Sequence, residues 1–291
     1  MDDRPWRMGD SVGPLSLADT HCHLDLRQFD GDREDVVARA EAAGVRIIVN
    51  PGIDLDSSRR ALALAERHRG IYAAVGVHPN DCAGFDDATL AALRGLATHP
   101  KVVAIGEIGL DYHWERVPHE KQKLVLRAQL ALAADLGLPV ILHSRDSNAD
   151  LLCEVAQWGA AIRKKRGAAA MIGVWHAFSG GVGEAEAGYE LGLVLGLGGP
   201  VTFQNARGLQ ALVPQLRPDR VLLETDAPYL APHPHRGKRN EPGYLALVAQ
   251  ALASLYGMTV ETVAAQTTIT ALRCFAPKLH WCCDKIDHLD R

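Results

Sequence analysis

The chain has 291 residues, 47% of them apolar and 23% charged, with a formal charge of -4. That balance belongs to a globular protein with a large core and excludes a disordered chain, a fibrous one and a generally basic coat for nucleic acid. No run approaches the ~18 consecutive apolar residues of a membrane span, and the opening "MDDRPWRMGD" is too acidic and polar for a signal peptide.

The first element is "LADTHCH", Leu17 to His23, a short run that reads as a buried parallel strand. In an extended segment alternate side chains share a face, so His21 and His23 point the same way, roughly 7 Å apart at the backbone, while Cys22 turns away. A stretch of helical period at 33–43 precedes the second strand, "RIIVNPG". Helix 57–69 leads to "YAAVGVHP", ending in His78, and helix 88–97 leads to "VVAIGEIG", carrying Glu107. Helix 119–136 then precedes "PVILHSR", which delivers His143 and Arg145. Residues 160–170, with the basic run "RKKR", read as a surface insertion before the sixth strand, "MIGVWHAF", which carries His176. "LVLGLGGPV" and "RVLLETDAP" complete eight strands, the last bearing Glu224 and Asp226, and a further helix is expected over 260–275.

Eight βα units in series, with no break in composition, predict an α/β fold formed by a single (β/α)8 TIM barrel over 17–277. An N-terminal extension, 1–16, and a C-terminal tail, 278–291, flank it. The end of the chain, "LHWCCDKIDHLDR", has no clear period, and its two histidines and two cysteines read as tail rather than metal site. The six cysteines are scattered without a CxxC, so reduced thiols and a cytoplasmic location are expected, with neither a membrane nor an obligate protein partner implied.

Catalytic groups of such a barrel gather at the carboxyl ends of its strands. Imidazoles and carboxylates stand at six of those ends, each inside an apolar run. A lone buried charge costs several kcal/mol, so one shared cation site accounts for the set better than separate structural excuses. His21, His23, Glu107, His143, His176 and Asp226 exceed the needs of one tetrahedral zinc and suit two divalent ions, zinc, manganese or magnesium. The expected partition gives His21, His23 and Asp226 one ion and His143 and His176 the other, with Glu107 reaching both. Such a pair activates water for hydrolysis. Glu107 and Asp226 are the catalytic carboxylates of this reading. Asp226 either orients and deprotonates the water or serves as a plain ligand, and Glu224 buttresses the site from one layer below. Arg236, Lys238 and Arg239 in "HRGKR" either grip a phosphate or belong to a solvated loop that ties the barrel closed; His78 and Arg145 hold either phosphate or merely neighbouring backbone.

In "DTHCHLD", "GVHP", "AIGEIGLDYH", "LPVILHSRD", "AFSG", "GGPVTF", "LLETDAPYLAP" and "RGKRNEP" the chain resembles the TatD family of metal-dependent deoxyribonucleases, from about Leu17 to Phe275. The resemblance implies a two-metal barrel hydrolase acting on DNA phosphodiesters, an ester-bond hydrolase working as a 3′–5′ exonuclease. It places the metal positions on His21, His23, Glu107, His143, His176 and Asp226. Ala177 departs from the pattern by standing where family members often carry cysteine, but His176 beside it is kept. Two rivals stay open: an amidohydrolase-type C–N or ester hydrolase on the same barrel, and a non-catalytic metal or nucleic-acid binder. Related amidohydrolases often bridge their metals with a carboxylated lysine on strand four, where this chain offers Glu107.

Overall fold

Each of the eight apolar runs forms a strand in a computed structural model, which describes residues 15–275 except 168. The strands are β1 Leu17–Asp19, β2 Val45–Pro51, β3 Ile71–Val75, β4 Val102–Asp111, β5 Val140–Arg145, β6 Gly173–Trp175, β7 Leu193–Leu197 and β8 Val221–Leu223. All pair in parallel and neighbour one another in chain order. Backbone bonds draw the last strand to the first: Thr20 N donates to the Leu223 carbonyl at 3.1 Å and His23 N to that of Ala227 at 2.8 Å, beside an isolated parallel bridge between Cys22 and Ala227. The expected TIM barrel is therefore the fold observed.

The helices are α1 Arg33–Ala42, α2 Leu55–Arg67, α3 Asp87–Ala97, α4 His119–Leu136, α5 Asn148–Arg166, α6 Val182–Leu191, α7 Arg207–Leu212, α8 Leu245–Tyr256 and α9 Val260–Phe275. Local chemistry sets their ends. At the start of α2 the Asp54 side chain accepts from Ser57 N at 2.6 Å while Ser57 Oγ accepts from Asp54 N at 2.9 Å, a reciprocal cap. Gly137 ends α4 in the left-handed region at φ 66°, which a residue with a Cβ seldom adopts. The expected insertion at 160–170 is a correction: α5 runs on to Arg166 with Ile162 buried in the core, and only the turn beyond it is irregular. Arginine and lysine are good helix formers, so the basic run lengthens a barrel helix instead of breaking it.

The strands are apolar on both faces because both are covered. Outward residues such as Leu17, Val75, Ile105, Leu142 and Leu223 pack with the helices. Ala18, Val49, Ala74, Val103, Ile141, Val174, Val194 and Leu222 form a separate inner cluster, on which Leu272 and Phe275 of α9 pack. Tyr72 and Met171, at the amino ends of β3 and before β6, border that cluster, so the apolar filling occupies the amino end of the barrel and polar groups collect at the other. Cys22, Cys82 and Cys153 are free thiols. Of the expected flanks, the extension is described only at residues 15 and 16, and the tail with Cys282 and Cys283 lies outside the described residues. No single helix among the described residues is long and apolar enough to cross a membrane.

Candidate metal centre

Glu107 sits in the middle of the polar end. The register of β4 against β5 slips between Ile105 and Ile108, an irregularity that sends both isoleucines to the helix layer while Glu107 is buried among the imidazoles. Its backbone N–H is fixed by the Gly52 carbonyl at 2.8 Å. Oε2 lies 3.3 Å from His21 Nε2 and 3.6 Å from His23 Nε2; Oε1 lies 3.0 Å from His143 Nδ1 and 3.7 Å from His78 Nε2. Each carboxylate oxygen thus faces a different group of imidazoles. The two rings that begin one residue apart after β1 bring their Nε2 atoms to 3.1 Å.

Asp226 follows β8 with φ 55°, a left-handed conformation that an L side chain rarely takes and that clusters at functional positions. Two bonds hold it there: Asp226 N donates to the His21 carbonyl at 2.8 Å, and Asn240 Nδ2 anchors the neighbouring Thr225 carbonyl at 2.8 Å. Its Oδ1 is 3.6 Å from His23 Nε2 and 3.8 Å from both His21 and His176 Nε2. Its side chain is 17% exposed against 4% for Glu107, so Asp226 is the carboxylate open to the barrel mouth.

The sequence pairs His176 with His143, but its ring stacks on His21 with centroids 3.4 Å apart and stands 6.5 Å from His143. Glu224 sets that orientation. Its Oε1 accepts from Ala177 N at 2.6 Å and lies 3.1 Å from His176 Nδ1, and Ala177 bends the chain with φ 46°. Gly196 on β7 makes room, since a Cβ there would stand 2.0 Å from Glu224 Oε2. Because β8 ends at Leu223, this turn chemistry, rather than strand alternation, brings Glu224 and Asp226 to the same ring.

Asp111, at the end of β4, joins this cluster although the sequence patterning does not single it out. It is buried, and its Oδ2 lies 3.2 Å from His143 Nε2 and accepts from Asn80 Nδ2 at 2.8 Å. Its position four residues past Glu107 on one strand is the only signal. Donor atoms of three sets of side chains lie within 4.8 Å of one another: His21, Glu107 and His176; His21, His23 and Asp226; His78, Asp111 and His143.

Burial and the neighbouring His176 hold the His21 imidazole well below its ordinary value, which favours its neutral form. For His143, burial acts downward but is outweighed by hydrogen bonds to Asp111 and Glu107, which push it up to about 9. Burial likewise opposes the Glu107 charge, yet His21 and His143 hold the carboxyl well below the usual range. Burial raises Asp226 to about 6 against the pull of His176 and His23. Buried imidazole nitrogens and carboxylate oxygens converging at 3.0–3.8 Å are the donor set of a divalent cation such as zinc or manganese, and the residues fit one.

Around the mouth, the basic residues take different roles. Arg239 donates to both oxygens of Asp32 at 2.7 Å and to the Gln28 carbonyl at 2.8 Å, so it ties the loop after β8 to the start of α1. Arg236 lies 4.3 Å from the centre of the Phe203 ring and donates to Asn205 at 3.0 Å, and Lys238 is exposed. Arg145 is exposed at the end of β5, whereas His78 is turned in toward Glu107.

Sequence comparison decides the family: its profile, described as TatD related DNase, matches residues 18–276. The chain belongs to the TatD family. It is 44% identical over 259 residues to the metal-dependent hydrolase YabD of Bacillus subtilis, an overlap covering 89% of this chain and 98% of that one. To the 3′-5′ ssDNA/RNA exonuclease TatD of Cronobacter sakazakii it is 40% identical over 266 residues, 89% of this chain and 97% of the relative. The crystal structure of YjjV, a TatD homolog from Escherichia coli K12, matches with a TM-score of 0.83 at 34% identity, covering 91% of this chain and 99% of that one. This TatD-family chain is therefore a metal-dependent hydrolase.

Proposed function

We propose that the chain hydrolyses phosphodiester bonds of single-stranded DNA from the 3′ end, with two divalent ions at the mouth of the barrel. The observation that carries the reading is Glu107, whose two oxygens face separate imidazole groups, His21 with His23 on one side and His143 on the other. His21, His23 and Asp226 would hold one ion and His143 the second; His176 reaches this centre from the His21 side, and Glu107 serves both. Cations there supply Lewis-acid polarisation of a phosphoryl oxygen and of water. Asp226, the more open carboxylate, orients the attacking water and takes its proton. Glu224 and Asp111 fix the rings of His176 and His143. Arg145, Arg236 and Lys238 supply positive charge to the strand's phosphates, with His78 lining the floor of the same cleft.

The polarity and substrate of this reading come from the exonuclease relative and from the exposed cations at the rim. A carboxylated-lysine amidohydrolase site is not favoured, because β4 contains no lysine and the Lys101 ammonium before it is bound to the His68, Arg69 and Ile71 carbonyls. The test is cleavage of 5′-labelled single-stranded DNA by protein loaded with magnesium, manganese or zinc, with RNA and duplex DNA in parallel. A ladder of progressively shorter labelled products, absent with E107A, is expected. No shortening of the strand at protein in excess over DNA, with all three metals, would overturn the proposal.

A further inference from the structure

The loop between β4 and α4 carries an indole that the metal centre does not use. Trp114 is 46% exposed, the largest exposed apolar side chain among the described residues. Its loop is held in place: Asp111 Oδ1 accepts from His113 N at 3.0 Å and from Trp114 N at 3.4 Å, and His113 Nδ1 lies 3.2 Å from Asp146 Oδ2. The other Asp111 oxygen is the one beside His143, so a single carboxylate links the indole's backbone to the metal centre. Two guanidinium groups flank the ring, Arg116 at 5.6 Å and Arg145 at 5.7 Å from its centre. Neither has a carboxylate within ion-pair distance among the described residues; Arg116 acts on the Asp81 carboxyl only from farther off.

We propose that Trp114, with Arg116 and Arg145, is a nucleobase-stacking subsite that grips the single strand on the β4–β5 side of the metal centre. The inference rests on the single-strand nuclease reading and adds where the strand lies. An exposed aromatic ring beside cations that no carboxylate contacts is the combination that binds single strands, because every base has a face to stack and every nucleotide carries a phosphate. A duplex, whose bases are stacked on one another, has no free face to offer Trp114. The subsite therefore supplies discrimination for single strands from outside the reacting centre.

Stacking on an aromatic side chain is worth roughly a 5- to 150-fold change in affinity per base. The experiment compares the parent, W114A and W114F on a short 5′-fluorescein-labelled oligodeoxyadenylate and on the same strand made abasic at successive single positions. Anisotropy with chelator present reads binding, and cleavage with manganese reads KM and kcat. W114A should weaken binding and raise KM at least fivefold, with kcat near the parent's, and W114F should recover most of the loss. One abasic position should erase the difference between W114A and parent. Replacing Arg116 or Arg145 by alanine should weaken base-bearing and abasic strands alike and flatten the salt dependence. If W114A binds and cleaves the base-bearing strand like the parent, the subsite is refuted while the nuclease reading stands. A parent that neither cleaves nor binds the strand overturns both.

Discussion

Replacing Asp111 by alanine removes the carboxylate that backs His143. The side chain is 2% exposed and serves His143 Nε2, Asn80 Nδ2 and the backbone of His113 and Trp114. Hydrogen bonds to a charged group are worth ~1.5–3 kcal/mol each, but the His113 end of this set is exposed, so D111A should cost about 2–4 kcal/mol of stability. With its Nε2 partner gone, the His143 ring loses the restraint that aims Nδ1 at Glu107 Oε1. Loss of such a partner lowers metal affinity or activity roughly 10- to 100-fold. The assay is a zinc titration against a competing chelator, run beside activity as a function of free metal. D111A should need more metal for half-activity and regain turnover when metal is raised. D111N, which keeps an acceptor for His113, should recover most of the stability but not the affinity. A D111A protein that melts earlier yet binds metal and turns over like the parent would refute the argument and make Asp111 purely structural.

Other outcomes follow from the same contacts. Gly196→Ala places a methyl where Glu224 Oε2 now lies, so the carboxylate must move off His176 and Ala177; a loss of ~1–3 kcal/mol in chemical denaturation and a marked fall in activity are expected. Hydrogen bonds from Arg239, with Arg39 behind it, hold Asp32 down to about 2 from an unfolded value of 3.8. The stabilisation this gives is complete above the unfolded value and is lost as pH falls toward the folded one. The Tm gap between the parent and D32N should therefore be constant from neutral pH to about 5 and close between about 4 and 2. Chelation should abolish hydrolysis while leaving the far-ultraviolet circular dichroism intact, because the apolar layers of the barrel do not depend on the metal centre. Readdition of metal should restore turnover; unfolding on chelation would contradict this.

Much of this molecule is legible in the amino-acid sequence. Apolar runs buried on both faces stand out from helices of longer period, so all eight strands and the helix Val260–Phe275 are visible there, and an imidazole or carboxylate inside such a run is conspicuous. That is why His21, His23, Glu107, His143, His176 and Asp226 can be named from their places at strand ends. What escapes depends on three-dimensional turns. The slip in β4 that buries Glu107 arises from pairing with β5, and the left-handed bends at Ala177 and Asp226 carry no glycine to mark them. Those bends swing His176 against His21 instead of His143. Asp111 hides behind Glu107 in the same run, and Trp114 shares with Tyr112 a polar loop without period. The basic run in α5 imitates an insertion because its charges mask the helical period, although Ile162 keeps the buried face going.

Whether Glu107 joins two cation positions is measured most directly by metal content. Parent and E107A, loaded with manganese or zinc and freed of excess, are analysed by plasma mass spectrometry alongside a melting curve. Two ions per chain are expected in the parent and no more than one in a folded E107A, with cleavage lost. A parent that binds a single ion, or an E107A protein that still holds two and cleaves, would contradict the bridging role.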